Sequence, residues 1–410
     1  LKDTPGSRWV FFLVEGAHHS PFYMDTRTLT AATGKRNMTL QARFLALALL
    51  GLAALAMIDA RAATFCVDSS DDFAEALATA EANGDDNDIR LRAGLYVAPD
   101  GGFHIDLRDG HHSLSVVGGY TDAACTERTH VAAATALDGR DAVRQLTIDT
   151  STSSGIAEPA HSITVSGLFF TGGHDALVGA LKISDSGPIY GGIIVVEGNV
   201  FADNATETGV LEGGPALLAA TDGPDFAGGT GLFVRNNLFI RNKGPNAPAV
   251  FVYSNNRVAV SNNTFAANVA TDATLDERVT FASFTFSGVD FSNNVFGDNN
   301  PDGTPATFDL HATNVTDLVD NALVAIAGTP RSETGTLDGD PHFVDAVNGN
   351  YRLAPGSRLI DAGTDTPAGG VAEFDIDGAR RIEGAHIDIG AFETAPASAE
   401  EIFADGFDAG

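Results

Sequence analysis

The densest group of residues able to do chemistry lies near the C-terminus, where Asp375-Ile-Asp377 stands beside Arg380 and Arg381, with Asp388 and Glu393 following. Closely spaced carboxylates suit oxygen ligation of a hard cation, and carboxylates beside guanidinium groups suit ion pairing. Three readings are open. A salt-bridge network closing the C-terminal end ranks first, a Ca²⁺ site on Asp375, Asp377 and Asp388 second, and catalysis third. No cofactor is expected apart from that Ca²⁺. His104, His111 and His112 share no recognised ligand spacing and are expected in surface loops.

Cleavage of a glycan would need two carboxylates facing one sugar, or a basic residue beside a neutralised acid group. Beyond residue 62 the only lysines are Lys182 and Lys243, and Gly173-His174-Asp175 only partly matches a Gly-His-Gly motif. Ring stacking on sugars needs exposed aromatics. The single Trp is Trp9, which leaves Tyr190 and Tyr253 as candidates.

The elements that would position these groups are announced by a repeat. Its five copies are Val165-Ser-Gly-Leu-Phe-Phe-Thr-Gly-Gly173, Val196-Glu-Gly-Asn-Val-Phe-Ala-Asp-Asn204, Val234-Arg-Asn-Asn-Leu-Phe-Ile-Arg-Asn242, Val260-Ser-Asn-Asn-Thr-Phe-Ala-Ala-Asn268 and Phe291-Ser-Asn-Asn-Val-Phe-Gly-Asp-Asn299. The anchors Phe170, Phe201, Phe239, Phe265 and Phe296 recur every 26 to 38 residues, the range of solenoid coils. Gly167, Gly198, Asn236, Asn262 and Asn293 precede them by three, and only residues tolerant of positive φ occur there, which predicts a left-handed turn. Asn199, Asn237, Asn263 and Asn294 follow, and predict a buried amide ladder. Gly173, Asn204, Asn242, Asn268 and Asn299 are expected to mark a second turn of the same kind.

This register works as a ruler. Coils stack about 4.8 Å apart, so Asp203 and Asp298, three coils apart, should be about 14 Å from each other, beyond the roughly 5–9.5 Å of glycosidase pairs. The same ruler sets Asp203 beside Arg241 and Glu197 beside Arg235 as ion pairs on neighbouring coils.

Upstream, Asp71–Ala82 carries an acidic first turn, Phe73, Leu77 and Ala80 on one face, and a stop at Asn83-Gly84, which predicts a short helix capping the open end of the stack. Alternating segments at 88–92, 113–120 and 145–149 read as strands of irregular first coils.

Formal net charge is −30, and residues 63–410 alone hold 17 basic against 50 acidic residues. A surface of that sign repels phosphate backbones, so no nucleic-acid partner is expected. Met38–Arg43, the apolar run Phe44–Met57 and Ala60-Arg-Ala62 have the shape of a cleaved secretory signal, too short for a permanent span. Residues 1–37 then read as an extension from a mis-assigned start. In an exported protein the remaining pair Cys66 and Cys125 is expected to form one disulfide.

With these repeats the chain resembles right-handed parallel β-helix proteins. Gly339-Asp-Pro-His-Phe-Val-Asp345, Asn350–Ser357, Ile360-Asp-Ala-Gly363, Asp375-Ile-Asp-Gly378 and Asp388–Glu393 are similar to the choice-of-anchor C-terminal domains attached to bacterial exported β-helices. The resemblance implies an all-β solenoid divided into extension 1–37, signal 38–62, cap and first coils 63–160, regular coils 161–310, C-terminal coils 311–393, and a linker with sorting tail 394–410. It implies a secreted or cell-surface protein of binding, adhesion or structural role, with an extracellular glycan or cell-surface component as partner. The alternative it implies is a polysaccharide lyase or glycoside hydrolase.

Overall fold

The computed structural model describes residues 62–395 apart from 108–111, 151–160, 186–191, 208–213, 222–229, 273, 276, 286 and 300–306. The signal-like segment up to 61, Tyr190, His111 and the tail beyond 395 lie outside the described residues. The described residues belong to one compact unit, Ala60–Gly410.

Three sheets of parallel strands carry the chain through coil after coil. The first sheet has ten strands, from Ala63–Val67 through Ile193–Glu197, Thr230–Arg235 and Arg257–Ser261 to Ser332–Thr334, and each strand pairs with the one a coil later. The second sheet runs through Phe169–Asp175, Val200–Ala202, Leu238–Ile240, Thr264–Ala266 and Val295–Gly297. Eight strands form the third, from Phe103–Asp106 through Leu217–Thr221, Val250–Ser254 and Arg278–Thr285 to Ile326–Gly328. The repetition of parallel pairing is that of a solenoid, consistent with a β-helix.

The reason is legible coil by coil. Strand residues alternate between the interior and the outer surface, as in Leu217–Thr221 and Val250–Ser254, so each coil delivers apolar side chains to one continuous core. Phe170, Phe201, Phe239, Phe265 and Phe296 pair with one another in register and stack 4.4–5.0 Å between ring centroids, all fully buried. Gly167, Gly198, Asn236, Asn262 and Asn293 have φ between 55° and 69°, the left-handed turn that their residue types predict.

The turn between the first and second sheets is two residues long in all five repeat copies, Asn236-Asn237 being one. Return connections from the third sheet to the first vary from residues 150–161 down to Asn255-Asn256. The unequal coil lengths of the sequence therefore arise away from the asparagine turns.

Helix α1, Ser70–Asn83, begins at Ser69, whose hydroxyl accepts from the Asp72 N–H, and ends at the left-handed Gly84. Phe73, Ala76, Leu77 and Ala80 are its buried face, with Phe73 against Tyr96 and Phe103. A disulfide joins Cys66 to Cys125, 59 residues apart, with Cα atoms 5.7 Å apart.

After Leu337 the chain leaves the coil pattern instead of continuing it to 393. It forms an antiparallel pair, Phe343–Asp345 with Asn350–Leu353, and then a mostly irregular segment. This segment lies on the outer surface of the second sheet, where Tyr351, Ile376, Ala391 and Phe392 pack with Val200, Leu238, Ile240 and Ala266. It is pinned to the turns as well: Thr364 and Asn293 exchange two hydrogen bonds of 2.8 and 2.9 Å, and Asn236 Nδ2 donates to the Phe374 carbonyl at 2.9 Å. Those bonds span 71 and 138 residues of sequence. No helix among the described residues is long and apolar enough to cross a membrane.

Candidate functional site

The asparagines are the best-defined polar structure in the protein, and they are structural. Asn199, Asn237, Asn263 and Asn294 stand over one another, each Nδ2 donating to the Oδ1 of the next at 2.9–3.1 Å and to a valine carbonyl at 2.8–2.9 Å. The Oδ1 atoms of Asn237, Asn263 and Asn294 each accept a second bond from the backbone N–H of the preceding coil, and that of Asn199 accepts from the Leu168 N–H. Buried amides with their bonds made in this way hold the coils in register.

Two features went unread in the sequence. The ladder extends one coil further to Asn321, which accepts from Asn294 at 3.0 Å. Its signal was Asp320-Asn321 followed by Leu323 in place of Phe, with Asp320 in the left-handed region. The second turn is also displaced by one residue from its expected place. Gly172, Asp203, Arg241, Ala267 and Asp298 carry the positive φ, while Asn204, Asn242 and Asn268, all buried, and the half-buried Asn299 form a second ladder at 2.9–3.1 Å. Arg241 and Ala267 are not residue types that favour a left-handed turn, whereas the asparagine beside each of them is.

The register's ion pairs are in place. Arg241 grips Asp203 with two bonds of 2.8 and 2.6 Å, and Arg235 pairs with Glu197. A further group joins Arg257 to Asp290 and Asp317, with Arg331 also on Asp317. The hydrogen bond from Arg331, outweighing burial, holds the Asp317 carboxyl far below the usual carboxylate range.

The C-terminal carboxylates are engaged locally. Asp375 accepts from the backbone N–H groups of Asp377, Ala379 and Glu393, and Asp388 from those of Asp361 and Thr394. Asp377 pairs with Arg352 at 2.7 Å. Buried Arg381 donates to the carbonyls of Asp388 and Gly390 and stands 3.9 Å from Glu393, whose carboxyl burial pushes up to about 7. Among the described residues no group of three or more His, Cys, Asp or Glu is placed to hold a metal ion. The Asp-x-Asp spacing that suggested Ca²⁺ at Asp375, Asp377 and Asp388 serves turn hydrogen bonds and an ion pair.

His174 lies 3.5 Å from Glu207, and Asp175 pairs with Arg144 at 2.7 Å, so these two side chains of the Gly-His-Asp stretch face different partners. A buried His161–Asp185 pair, 2.9 Å apart, was also unread. Burial pushes the Asp185 carboxyl up, but the His161 hydrogen bond and charge, together with Thr150 and the Gly192 N–H, leave it below its ordinary value.

The site with most chemical capacity is a cleft of about 910 Å³, bordered by Arg241, Lys243, Asp298, Thr280, Asp309 and Tyr351 among others. Thr280 is fully buried, and its hydroxyl finds no partner among the described residues. Asp309 lies beside it on the next strand and accepts the Val324 and Ala325 N–H groups. Burial outweighs those bonds and pushes its carboxyl up to about 6. Lys243 makes no ion pair among the described residues, and the Ala346-Val347 segment supplies apolar wall. The cleft thus offers hydroxyl, carboxyl, ammonium and apolar surface together, as polar-ligand pockets do. Its mouth is framed by the second asparagine corner at Asn299.

No protein-family model matches the chain, and neither does any curated protein.

Proposed function

We propose that the chain is an exported, right-handed parallel β-helix that binds an extracellular glycan or another cell-surface component in the Thr280–Asp309 cleft. The observation that carries this reading is the buried, unpartnered Thr280 hydroxyl beside Asp309 on the wall of a cleft large enough for a small ligand. In the same reading residues 38–62 are a cleaved signal, helix α1 covers the first open end of the stack, and residues 338–394 are a choice-of-anchor type module. The strong negative charge disfavours nucleic acid as the partner.

One observation favours the enzymatic alternative, a glycoside hydrolase or polysaccharide lyase. Asp298 and Asp309 border the same cleft, and a carboxyl pushed up to about 6 is in the range of a general acid.

A glycan array followed by a depolymerisation screen, with and without Ca²⁺, tests both. Binding without turnover, weakened by Thr280→Val, is the expected result. Absence of binding to any glycan or cell surface removes the proposal, and turnover abolished by Asp309→Asn replaces it with the alternative.

A further inference from the structure

The cleft does not end at Thr280. That residue opens one face of the Arg278–Thr285 strand, and alternation along a strand puts Thr280, Ala282 and Phe284 on the same side. Phe284 is 55% exposed and stacks on Tyr253 of the neighbouring strand, ring centroids 5.8 Å apart and planes within 7°. Four residues at about 3.3 Å each separate Thr280 from Phe284, so the cleft and the aromatic pair mark two ends of a track about 13 Å long. Ala282 and its register partner Phe251 floor the interval.

Charge selects the occupant. Arg241 is already held by Asp203, which leaves Lys243 as the cation facing Asp298 and Asp309 in the cleft. On a chain of net charge −30, a uronate polymer or a second copy of the same chain would be repelled. Sugar rings need hydroxyl and carboxyl partners at one point and aromatic surface at another, and the track offers both.

We infer that the ligand is a linear neutral polysaccharide, one unit of which is held at Thr280 and Asp309 while the following units run along the Arg278–Thr285 strand to the Tyr253–Phe284 pair. This rests on the cleft being a glycan site. Its own content is the direction of the chain, its neutrality and the second contact.

The test is calorimetric titration of the full chain with neutral gluco-, manno- and galacto-oligosaccharides of two and six units, with a six-unit uronate as the charged comparator. The six-unit neutral sugar should bind Phe284→Ala about tenfold more weakly than wild type, the two-unit sugar equally well, and Phe284→Trp should restore the difference. Thr280→Val should weaken both lengths. Equal six-unit affinity in wild type and Phe284→Ala overturns the track while leaving the cleft as a glycan site. Preference for the uronate overturns neutrality. Binding of no sugar at all overturns the glycan reading together with the track. A dimer that dissociates in Phe284→Ala would show that a second copy covers the aromatic pair.

Discussion

A buried asparagine in this protein is valued for donating as much as for accepting. Asn237 Nδ2 donates to the Val196 and Arg235 carbonyls and to Asn263 Oδ1, while its own Oδ1 takes two bonds from Asn199. Asn237→Ala should cost about 2–4 kcal/mol in urea unfolding, since it strands groups on both neighbouring coils. Asn237→Asp should cost more at pH 7 than at pH 4, because an ionised carboxylate would face oxygens that need a donor; equal loss at both would mean that donation is unimportant. Asp309 gives a pH dependence of the same sign from a native side chain. Its folded carboxyl titrates near 6 against an ordinary value near 4, so the folded state keeps its proton longer than the unfolded chain. Stability is therefore unaffected below pH 4, falls as pH rises from about 4 to 6, and stays lowered above, by roughly 3 kcal/mol. Asp309→Asn should match wild type near pH 4 and exceed it at pH 8. Glu393, pushed up to about 7 by burial, would leave a further slope of the same sign in that variant. An unchanged pH profile of unfolding in Asp309→Asn would refute the assignment.

At the scale of elements, how much was legible depended on whether the partner is near in sequence. The Phe and Asn spacings predicted coils, the first turn, the first ladder and two ion pairs, because each coil repeats the same local demand. Helix α1 was legible for the same reason, from Phe73, Leu77, Ala80 and the Asn83-Gly84 stop. The path of residues 338–394 was not. Its glycines and aspartates read like coil turns, whereas its apolar residues pack on the second sheet far earlier in the chain, where the Ala391 N–H also donates to the Thr264 hydroxyl 127 residues away. The cleft was equally hidden, since Thr280 and Asp309 meet only through strand register. The first turn supplies its own test. Gly198 has φ 64°, yet a Cβ there would approach nothing closer than 3.9 Å, so conformation alone restricts the position. Gly198→Ala should cost about 1 kcal/mol and Gly198→Asn much less, matching Asn236 and Asn262. At Gly167 a Cβ would come 2.1 Å from Arg128 Nη2, so a substitution there also requires the Arg128 guanidinium to move off Ser166. Equal thermal shifts for Ala and Asn at 198 would contradict the left-handed requirement.

The molecule as a whole is held by two different devices, ladders between coils and ties across them. The Cys66–Cys125 disulfide closes a span of 59 residues, for which chain entropy gives about 4 kcal/mol. The double variant Cys66→Ser/Cys125→Ser should lose about that much and become indifferent to reductant. If wild type is equally indifferent, the bond is not formed in solution. Across the coils, the two-residue asparagine turns fix register, while the return connections to the first sheet differ in length from coil to coil. A stretch from one ladder asparagine to the next, such as residues 237–262, is thus a cassette whose two ends present the same interface. Cassettes of this sort can be lengthened at their return connection while the ladders, and the ties that the C-terminal segment makes to Asn236, Thr264 and Asn293, stay in place. The protein can consequently diversify its surface by loop grafting at these connections, with the two columns of side-chain amides and the buried phenylalanine stack left untouched.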